Sequence, residues 1–295
     1  HGRGANLHDT RSCNACTWNP PNVAEVKRRI DELVGWGANF IRLDLESYAQ
    51  AEGRVHYKPV TDDAQYLADV KAIVDHIGTK PGVYVLLSLW VDATFSQLGW
   101  PTAATAKTWE LLATTFAADK HVLYGLCNEP QQNFDGARDA EVWKAMNDTV
   151  AAIRAVESKL GAQSHIIAVQ GTGAWARRLD YYVSHPITAG GGANIAYEVH
   201  VYDPSSEHAK LVTQPAATLP VIIGEFGPSS GVSLTDVANL QALAEKLEVP
   251  HLAWTFHMRC PPNLIVDPGV GCGVNMQLQP TPWGQQLKSR LAAPW

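Results

Sequence analysis

One stretch of the sequence decides the fold: His121-Val-Leu-Tyr-Gly-Leu-Cys-Asn-Glu-Pro130. Its apolar run, residues 122–127, has the length and the abrupt boundary of a buried strand. Pro130 cannot donate a hydrogen bond to a ladder and disfavours helical backbone at Glu129, so the strand is predicted to stop there. An ionisable side chain and an amide, Glu129 and Asn128, therefore stand at the C-terminal end of a strand, where parallel α/β folds bind ligands.

A second stretch has the same form. In Pro220-Val-Ile-Ile-Gly-Glu-Phe-Gly227, Glu225 follows an apolar strand predicted over residues 221–223. Elsewhere, short apolar runs alternate with longer amphipathic segments. Strands are predicted over residues 5–7, 38–45, 83–89, 122–127, 165–169, 195–201, 221–223 and 252–256. Helices are predicted over residues 22–34, 62–76, 101–118, 138–160, 175–183, 207–214, 234–247 and 282–291.

This alternation predicts the fold class. Strands that are each followed by a helix indicate a single (β/α)8 TIM barrel over residues 1–295, with its active site at the C-terminal ends of the strands. An open doubly wound sheet is the main alternative. Such a sheet would carry a glycine fingerprint after its first strand, and the glycines of this sequence do not follow that pattern.

Composition narrows the class of partner. The 23 Lys and Arg against 29 Asp and Glu give a net charge of −6, so we expect no nucleic-acid partner. Apolar runs are too short for a membrane helix, so we expect no membrane partner. The charged fraction of 18% is low for an intracellular protein and fits an extracellular one weakly, and the sequence begins at His1 without Met. We therefore expect a secreted monomer whose leader was removed, or a sequence that begins at a domain edge.

The five cysteines leave several pairings open. The simplest assignment is two local disulfides, Cys13–Cys16 and Cys260–Cys272, with Cys127 as a buried free thiol. Zinc binding by the four loop cysteines, a redox Cys-x-x-Cys and cross-pairing of the four are the alternatives. Disulfides would imply an oxidising compartment.

Polar and aromatic side chains follow the predicted strands and would face one pocket. They are Asn6, His8, Arg42, Asp44, Glu46, Trp90, Asp92, Asn128, Glu129, Gln170, His200, Tyr202, Glu225, Trp254 and His257. Two Glu in one pocket suit glycoside hydrolysis, because one must be protonated to donate to the leaving oxygen while the other must be ionised. Arg42 can keep one carboxylate ionised, and Trp254 can form an apolar floor for a sugar ring. His200 with His257 has no acidic partner that makes a recognisable ligand set, so no metal site is predicted.

The ordered set of strand-end residues resembles glycoside hydrolase family 5, the cellulase A family. The motifs that carry the resemblance are Asn128-Glu129-Pro130, Ile223-Gly-Glu-Phe-Gly227, Phe40-Ile-Arg-Leu43, His200-Val-Tyr202 and Trp254. The resemblance spans nearly the whole chain. It implies a retaining double displacement in which Glu129 is the acid/base and Glu225 the nucleophile, with carboxyl groups ~5 to 5.5 Å apart.

The same resemblance implies roles for the supporting residues. Asn128 would bind the sugar 2-hydroxyl and Arg42 would pair with Glu225. His200 and Tyr202 would line the site, Tyr202 near the nucleophile. Trp254 would stack under the sugar that is cleaved at its reducing end.

One position departs from the resembled pattern. Many family cellulases place a His at the end of the third strand, where this sequence has Trp90. That departure points to a different sugar contact near the cleavage point. His8, after the first strand, could partly replace the missing His. Trp175, at the start of a predicted helix, fits core packing and sugar stacking equally.

We therefore expect a cofactor-independent retaining endo-β-1,4-glucanase that acts on a β-linked polysaccharide or oligosaccharide. Endo-β-1,4-mannanase is the alternative that Trp90 favours, and an exo-acting β-glucanase or β-glucosidase stays open. The alternative from another class is a carbohydrate-binding barrel that has lost catalysis. Retention of Glu129, Glu225 and Arg42 speaks against that reading.

Overall fold

The computed structural model of the protein describes residues 1–11, 22–46, 58–90, 98–269 and 273–294. Within these ranges, eight parallel strands form a closed barrel in chain order, with the first strand paired to the last. The strands are β1 (Arg3–His8), β2 (Phe40–Leu45), β3 (Tyr84–Leu89), β4 (Val122–Gly125), β5 (Ile167–Gln170), β6 (Ile195–Val201), β7 (Val221–Phe226) and β8 (His251–Ala253). The predicted (β/α)8 barrel is confirmed.

Helices cover the outside of the barrel. They are α1 (Val23–Gly35), α2 (Ala64–Gly78), α3 (Ala103–Thr115), α4 (Asp139–Leu160), α5 (Asp180–Ser184), α6 (Leu234–Lys246) and α7 (Pro282–Ala292). Side-chain caps explain where several of them begin. Asn22 accepts from the amide of Glu25, and Asp63 accepts from the amides of Gln65 and Tyr66; each such cap stabilises a helix by about 1 kcal/mol. In the described part of the chain, no helix is long and apolar enough to span a membrane.

Two predicted helices are wrong in detail. The helix predicted over 175–183 is a 3-10 turn, Ala174–Ala176, followed by α5, because Trp175 has a left-handed φ of 58° that interrupts a helix. The helix predicted over 207–214 is a series of 3-10, π and α turns between residues 205 and 216.

The C-terminal ends of β7 and β8 also differ from the prediction. β8 ends at Ala253, so Trp254 follows the strand instead of lying inside it. β7 continues to Phe226, so Glu225 lies inside its strand. A register shift explains how Glu225 faces inward: Val199 pairs with Ile223, but His200 pairs with Glu225, and the residue between is skipped.

That skipped residue, Gly224, is a β-bulge that reverses the alternation of side chains. Ile222 packs inside the barrel, and strict alternation would then turn Glu225 outward. The extra residue aims Glu225 into the barrel, where it meets Arg42.

The barrel interior changes from apolar to polar toward the C-terminal ends of the strands. The lowest layer is apolar and consists of Phe40, Leu86, Ala168, Ala196, Ile222 and Leu252. Two residues further along each strand, the inward side chains include Asn6, Arg42, Gln170 and Glu198, all with 0% exposure. This buried polar layer supports the residues of the pocket above it.

Candidate active site

Glu129 and Glu225 come together at the C-terminal end of the barrel. Glu129 follows β4, and Glu225 reaches the same space from β7. One carboxylate oxygen of each lies within 4.8 Å of the other. Retaining glycosidases hold their carboxyl groups about 5 to 5.5 Å apart, whereas inverting enzymes leave about 6.5 to 9.5 Å for a water molecule. The separation therefore fits direct attack by one carboxylate.

Both oxygens of Glu225 receive hydrogen bonds. Nη1 of Arg42 donates to Oε1 at 2.8 Å, and the hydroxyl of Tyr202 donates to Oε2 at 2.9 Å. Burial raises the pKa of the Glu225 carboxyl, while the charges of His200 and Arg42 act in the opposite direction. The two donors fix the plane of the carboxylate and favour its ionised form.

Glu129 has a different environment. Its side chain is 16% exposed, and its Oε1 lies 2.8 Å from Nδ1 of His200. The same Nδ1 lies 3.5 Å from Oε1 of Glu225, so the imidazole faces both carboxylates. Burial alone would lower the pKa of His200. The carboxylates of Glu225, Glu129 and Glu198 outweigh burial and raise this pKa to about 10. His200 is therefore an imidazolium at neutral pH, and both ring nitrogens donate.

Arg42 is the hub of the buried network. Its Nη1 also donates to Asn6 Oδ1 at 2.8 Å and to Asp44 Oδ1 at 3.0 Å. Its Nη2 donates to Oδ1 of Asn128 at 3.0 Å. Because Arg42 takes the carbonyl end of Asn128, the amide nitrogen of Asn128 is the end that can donate to a sugar hydroxyl.

Trp254, Trp90 and His8 form an aromatic wall beside the network. Trp254 and Trp90 lie 5.9 Å apart between ring centroids, and each is 8% exposed. His8 meets Trp254 edge-on at 5.3 Å and Trp90 at 6.5 Å. Nε1 of Trp90 donates to Oδ1 of Asp44 at 3.3 Å, and burial raises the pKa of Asp44 to about 8. The end of β3 thus presents an indole that is tied to a protonated carboxyl at neutral pH.

Trp175 lines an open cavity together with Glu129. Its side chain is 47% exposed and meets Phe134, 65% exposed, edge-on at 5.3 Å. A cavity of about 250 Å³ opens here, lined by Glu129, Trp175, Arg177, His200, Tyr202 and Asp203. Trp175 is therefore exposed next to the predicted proton donor, which fits sugar stacking better than core packing.

Glu198, which was not among the residues predicted from the strand ends, completes the polar layer. Glu198 lies within β6, and its side chain is fully buried. Its position two residues before His200 was the available signal, because residues i and i+2 of a strand share a face. A carboxylate inside an apolar strand also requires a charged or hydrogen-bonding partner.

One set of described side chains could in principle ligate a metal ion. Glu129, His200 and Glu225 each place a ligand atom within 4.8 Å of the others. A cation there would face the guanidinium of Arg42, which lies 2.8 Å from Glu225, and would need His200 to lose its proton. The charges of the site therefore suit acid/base work by the two carboxylates better than metal binding.

Two carboxylates set at the C-terminal end of a (β/α)8 barrel, one held by cationic and phenolic donors and one open to a pocket, define a glycoside hydrolase site. The protein-family model for cellulase (glycosyl hydrolase family 5) matches residues 1–259. The chain belongs to this family and is a glycoside hydrolase.

Solved structures share the fold across almost the whole chain. Cellulase Cel5C_n superposes with a TM-score of 0.74 at 21% identity, covering 100% of this chain and 87% of that one. The catalytic domain of Thermobifida fusca endoglucanase Cel5A (E5), in complex with cellotetraose, gives 0.73 at 17% identity, covering 99% and 92%. XacCel5A in complex with cellopentaose gives 0.70 at 20% identity, covering 98% of both chains. Among curated proteins, no sequence matches this chain.

Proposed function

We propose that the protein is an endo-β-1,4-glucanase that cleaves internal bonds of β-linked glucan with retention of anomeric configuration. The observation that carries the proposal is the pair Glu129 and Glu225, with oxygens within 4.8 Å and with different partners. Arg42 and Tyr202 hold Glu225 as a carboxylate. Glu129 is partly exposed to the pocket, where a leaving sugar would lie.

The reaction follows from these two environments. Glu129 donates its proton to the glycosidic oxygen while the Glu225 carboxylate attacks the anomeric carbon, and the aglycone leaves as an alcohol. The sugar is then an ester of Glu225. Glu129, now ionised, takes a proton from water, which attacks the anomeric carbon and releases the sugar and the Glu225 carboxylate.

The substrate class rests on the family and on the shape of the site. Two of the structural relatives carry cellotetraose and cellopentaose, which are β-1,4-linked glucose chains. The exposed pair Trp175 and Phe134 extends the site beyond Glu129, as binding inside a long chain requires. We infer that glucan is bound across the cleavage point and is not held only by its end.

Endo-β-1,4-mannanase is the second candidate, and one observation favours it. At the end of β3 the site has Trp90, whose indole is tied to Asp44, where many cellulases of this family have a His. A changed contact beside the cleaved sugar could alter which 2-hydroxyl configuration is accepted.

A hydrolysis screen separates these candidates. We expect the purified protein to release reducing ends from carboxymethyl-cellulose with an early fall in viscosity, and to be slower on mannan, xyloglucan, xylan and laminarin. Proton NMR of the first product should show the β-anomer, as retention requires. Hydrolysis of mannan but not of carboxymethyl-cellulose would show that the enzyme is a mannanase and not a glucanase. Release of reducing ends without an early fall in viscosity would indicate exo action.

We also propose that the enzyme is a secreted monomer with the disulfides Cys13–Cys16 and Cys260–Cys272. The low charged fraction and the two cysteine pairs support this. Cys13, Cys16 and Cys272 lie outside the described residues, whereas Cys127 is a buried free thiol. Peptide mapping without reduction should recover both linked pairs, and size-exclusion chromatography should give a mass near 32.1 kDa.

A further inference from the structure

Glu198 lies in β6 directly below the two catalytic carboxylates. Its Oε1 lies 3.0 Å from Nε2 of His200 and 3.0 Å from Nε of Arg42. One carboxylate oxygen therefore contacts both cations that face Glu225. All three side chains are buried, with 1% exposure or less, so water does not screen these contacts.

We propose that Glu198 is a positioning residue for the reaction: a fixed counter-anion that keeps His200 protonated and balances the charge of Arg42 while one negative charge moves between Glu225 and Glu129. The inference deepens the proposed retaining mechanism and rests on it. Glu198 does not touch the reacting atoms and acts through His200 and Arg42.

The surroundings hold Glu198 in one orientation. Nε2 of Gln170 donates to its Oε2 at 2.7 Å, and Gln170 is itself held because the amide of Cys127 donates to its Oε1 at 3.1 Å. On the other side, a Cβ added to Gly224 would lie 2.0 Å from Glu198 Oε1. The bulge residue before the nucleophile is therefore the one that makes room for this carboxylate.

A count of the charges shows why a third glutamate that stays ionised suits the reaction. Before the first step, Arg42 and His200 are cations, Glu198 and Glu225 are anions, and Glu129 carries the proton. In the covalent intermediate, Glu225 is a neutral ester and Glu129 is ionised. Both states hold two positive and two negative charges, and of the three glutamates only Glu198 keeps its charge throughout.

The other groups around the site do not replace Glu198. The titratable and charged groups around Glu198, or around its partners His200 and Arg42, are Asp44 from β2, Cys127 and Glu129 from the β4 end, Tyr202 from the β6 end, and Glu225 from β7. Burial raises the pKa of Asp44 to about 8 and raises the pKa of Cys127 and of Tyr202, so these groups stay neutral at pH 7. Burial opposes ionisation of Glu198 too, but Arg42 and His200 lower its pKa below the ordinary value.

The test is the variant Glu198→Gln, which keeps the size of the side chain and removes its charge. We expect His200 to lose its proton at a lower pH, so that the basic limb of the kcat/KM profile moves to lower pH. We expect kcat to fall about 10- to 100-fold with little change in KM, as for loss of a charged hydrogen bond in the transition state.

Glu157→Gln is the matched control. Glu157 is a buried Glu with the same partner types, because it accepts from Arg154 at 2.6 Å and lies 2.9 Å from Nδ1 of His165, but it lies on α4 outside the barrel. This variant should lose stability and keep the pH profile of the wild type. Equal shifts in both variants would mean that Glu198 has only a structural role.

A second readout needs no substrate. In nitrogen-15 NMR of histidine-labelled protein, the His200 signal, assigned by its loss in His200→Gln, should remain that of an imidazolium at pH 8 and titrate lower in Glu198→Gln. A neutral His200 in the wild type at pH 8 would overturn the proposal even if Glu198→Gln did not fold. An unchanged pH profile in a folded Glu198→Gln would overturn it as well. Inactivity of the wild type on every glycan would instead reject the proposed function.

Discussion

The hydroxyl of Tyr202 donates to Oε2 of Glu225 at 2.9 Å, on the carboxylate oxygen that Arg42 does not bind. The two donors come from different strands of the barrel, since Tyr202 follows β6 and Arg42 lies in β2. Rotation of the Glu225 carboxylate would break at least one of these hydrogen bonds. The site therefore holds its predicted nucleophile in one plane before substrate arrives, which reduces the reorganisation needed for attack.

Tyr202→Phe removes one of these donors and leaves the ring. We expect kcat to fall about 10- to 100-fold, because a hydrogen bond to a charged group contributes about 1.5–3 kcal/mol. KM should change little, and steady-state kinetics on a soluble β-glucan would measure both. Tyr84→Phe is the control, since Tyr84 is 49% exposed at the start of β3. A Tyr202→Phe enzyme with full kcat would show that Arg42 alone holds Glu225.

The predicted roles of Glu129 and Glu225 can be distinguished with an aryl β-glycoside whose phenol leaves without a proton. Glu129→Gln should still form the glycosyl ester, which then accumulates because no base activates water. Glu225→Gln should form no ester and lose about three to five orders of magnitude in kcat. Intact-protein mass spectrometry would detect the adduct, with Glu110→Gln, an exposed helix position, as the control. An adduct on Glu225→Gln would reverse or reject the assignment.

Much of the fold and the positions of the two predicted catalytic residues followed from local signals. The apolar run before Asn128 and the stop at Pro130 set the end of β4 to within two residues, because proline and strand hydrophobicity act on their own neighbourhood. Glu225 was placed beside an apolar run for the same reason. Closed pairing of the parallel strands then brings such ends together at one end of the barrel.

What the pattern did not predict depends on pairing and packing between distant segments. The bulge at Gly224 exists only in the register of β7 against β6, yet it decides that Glu225 faces inward. Glu198 belongs to the site because Arg42, 156 residues earlier, reaches it across the barrel. The 8% exposure of Trp90 and Trp254 likewise depends on their mutual packing and on His8.

The acid limb of the activity profile should lie above the ordinary range of a glutamic acid. Burial raises the pKa of Glu225 above 4.5, and the nucleophile must be ionised to attack. The kcat/KM ratio should therefore rise with pH through this raised pKa. Tyr202→Phe should move the limb to still higher pH, because the hydrogen bond from Tyr202 lowers the pKa of Glu225. A limb at or below pH 4.5 in the wild type would contradict the burial argument.

Trp175→Ala should weaken binding of long substrates more than short ones. The exposed indole lies next to Glu129, and burying such a side chain against a ligand is worth about 1.5–3 kcal/mol. We expect kcat/KM for cellopentaose to fall about 10- to 100-fold, with a smaller effect on an aryl glycoside of one sugar. Tyr84→Ala is the control, as an aromatic side chain of similar exposure, 49% against 47%, at the other end of the barrel. Equal effects on both substrates would show that Trp175 does not bind the distal sugars.

Asp44→Asn should change how stability depends on pH. Burial raises the pKa of Asp44 from 3.8 to about 8, so between these values the native state binds a proton that the unfolded state has released. The contribution of Asp44 to the free energy of unfolding is fully present below about pH 4. Between about pH 4 and pH 8 it decreases by about 1.4 kcal/mol per pH unit, and above about pH 8 it is lost. The Asn variant keeps an acceptor for Arg42 and Trp90 but has no proton to lose, so its unfolding free energy should fall less steeply over this range. Urea unfolding at several pH values would give both slopes, and the residual slope of the variant should contain the contribution of Glu46, whose pKa is raised by burial to about 7. Identical slopes for the wild type and Asp44→Asn would mean that Asp44 is ionised in the folded protein, held so by the guanidinium of Arg42.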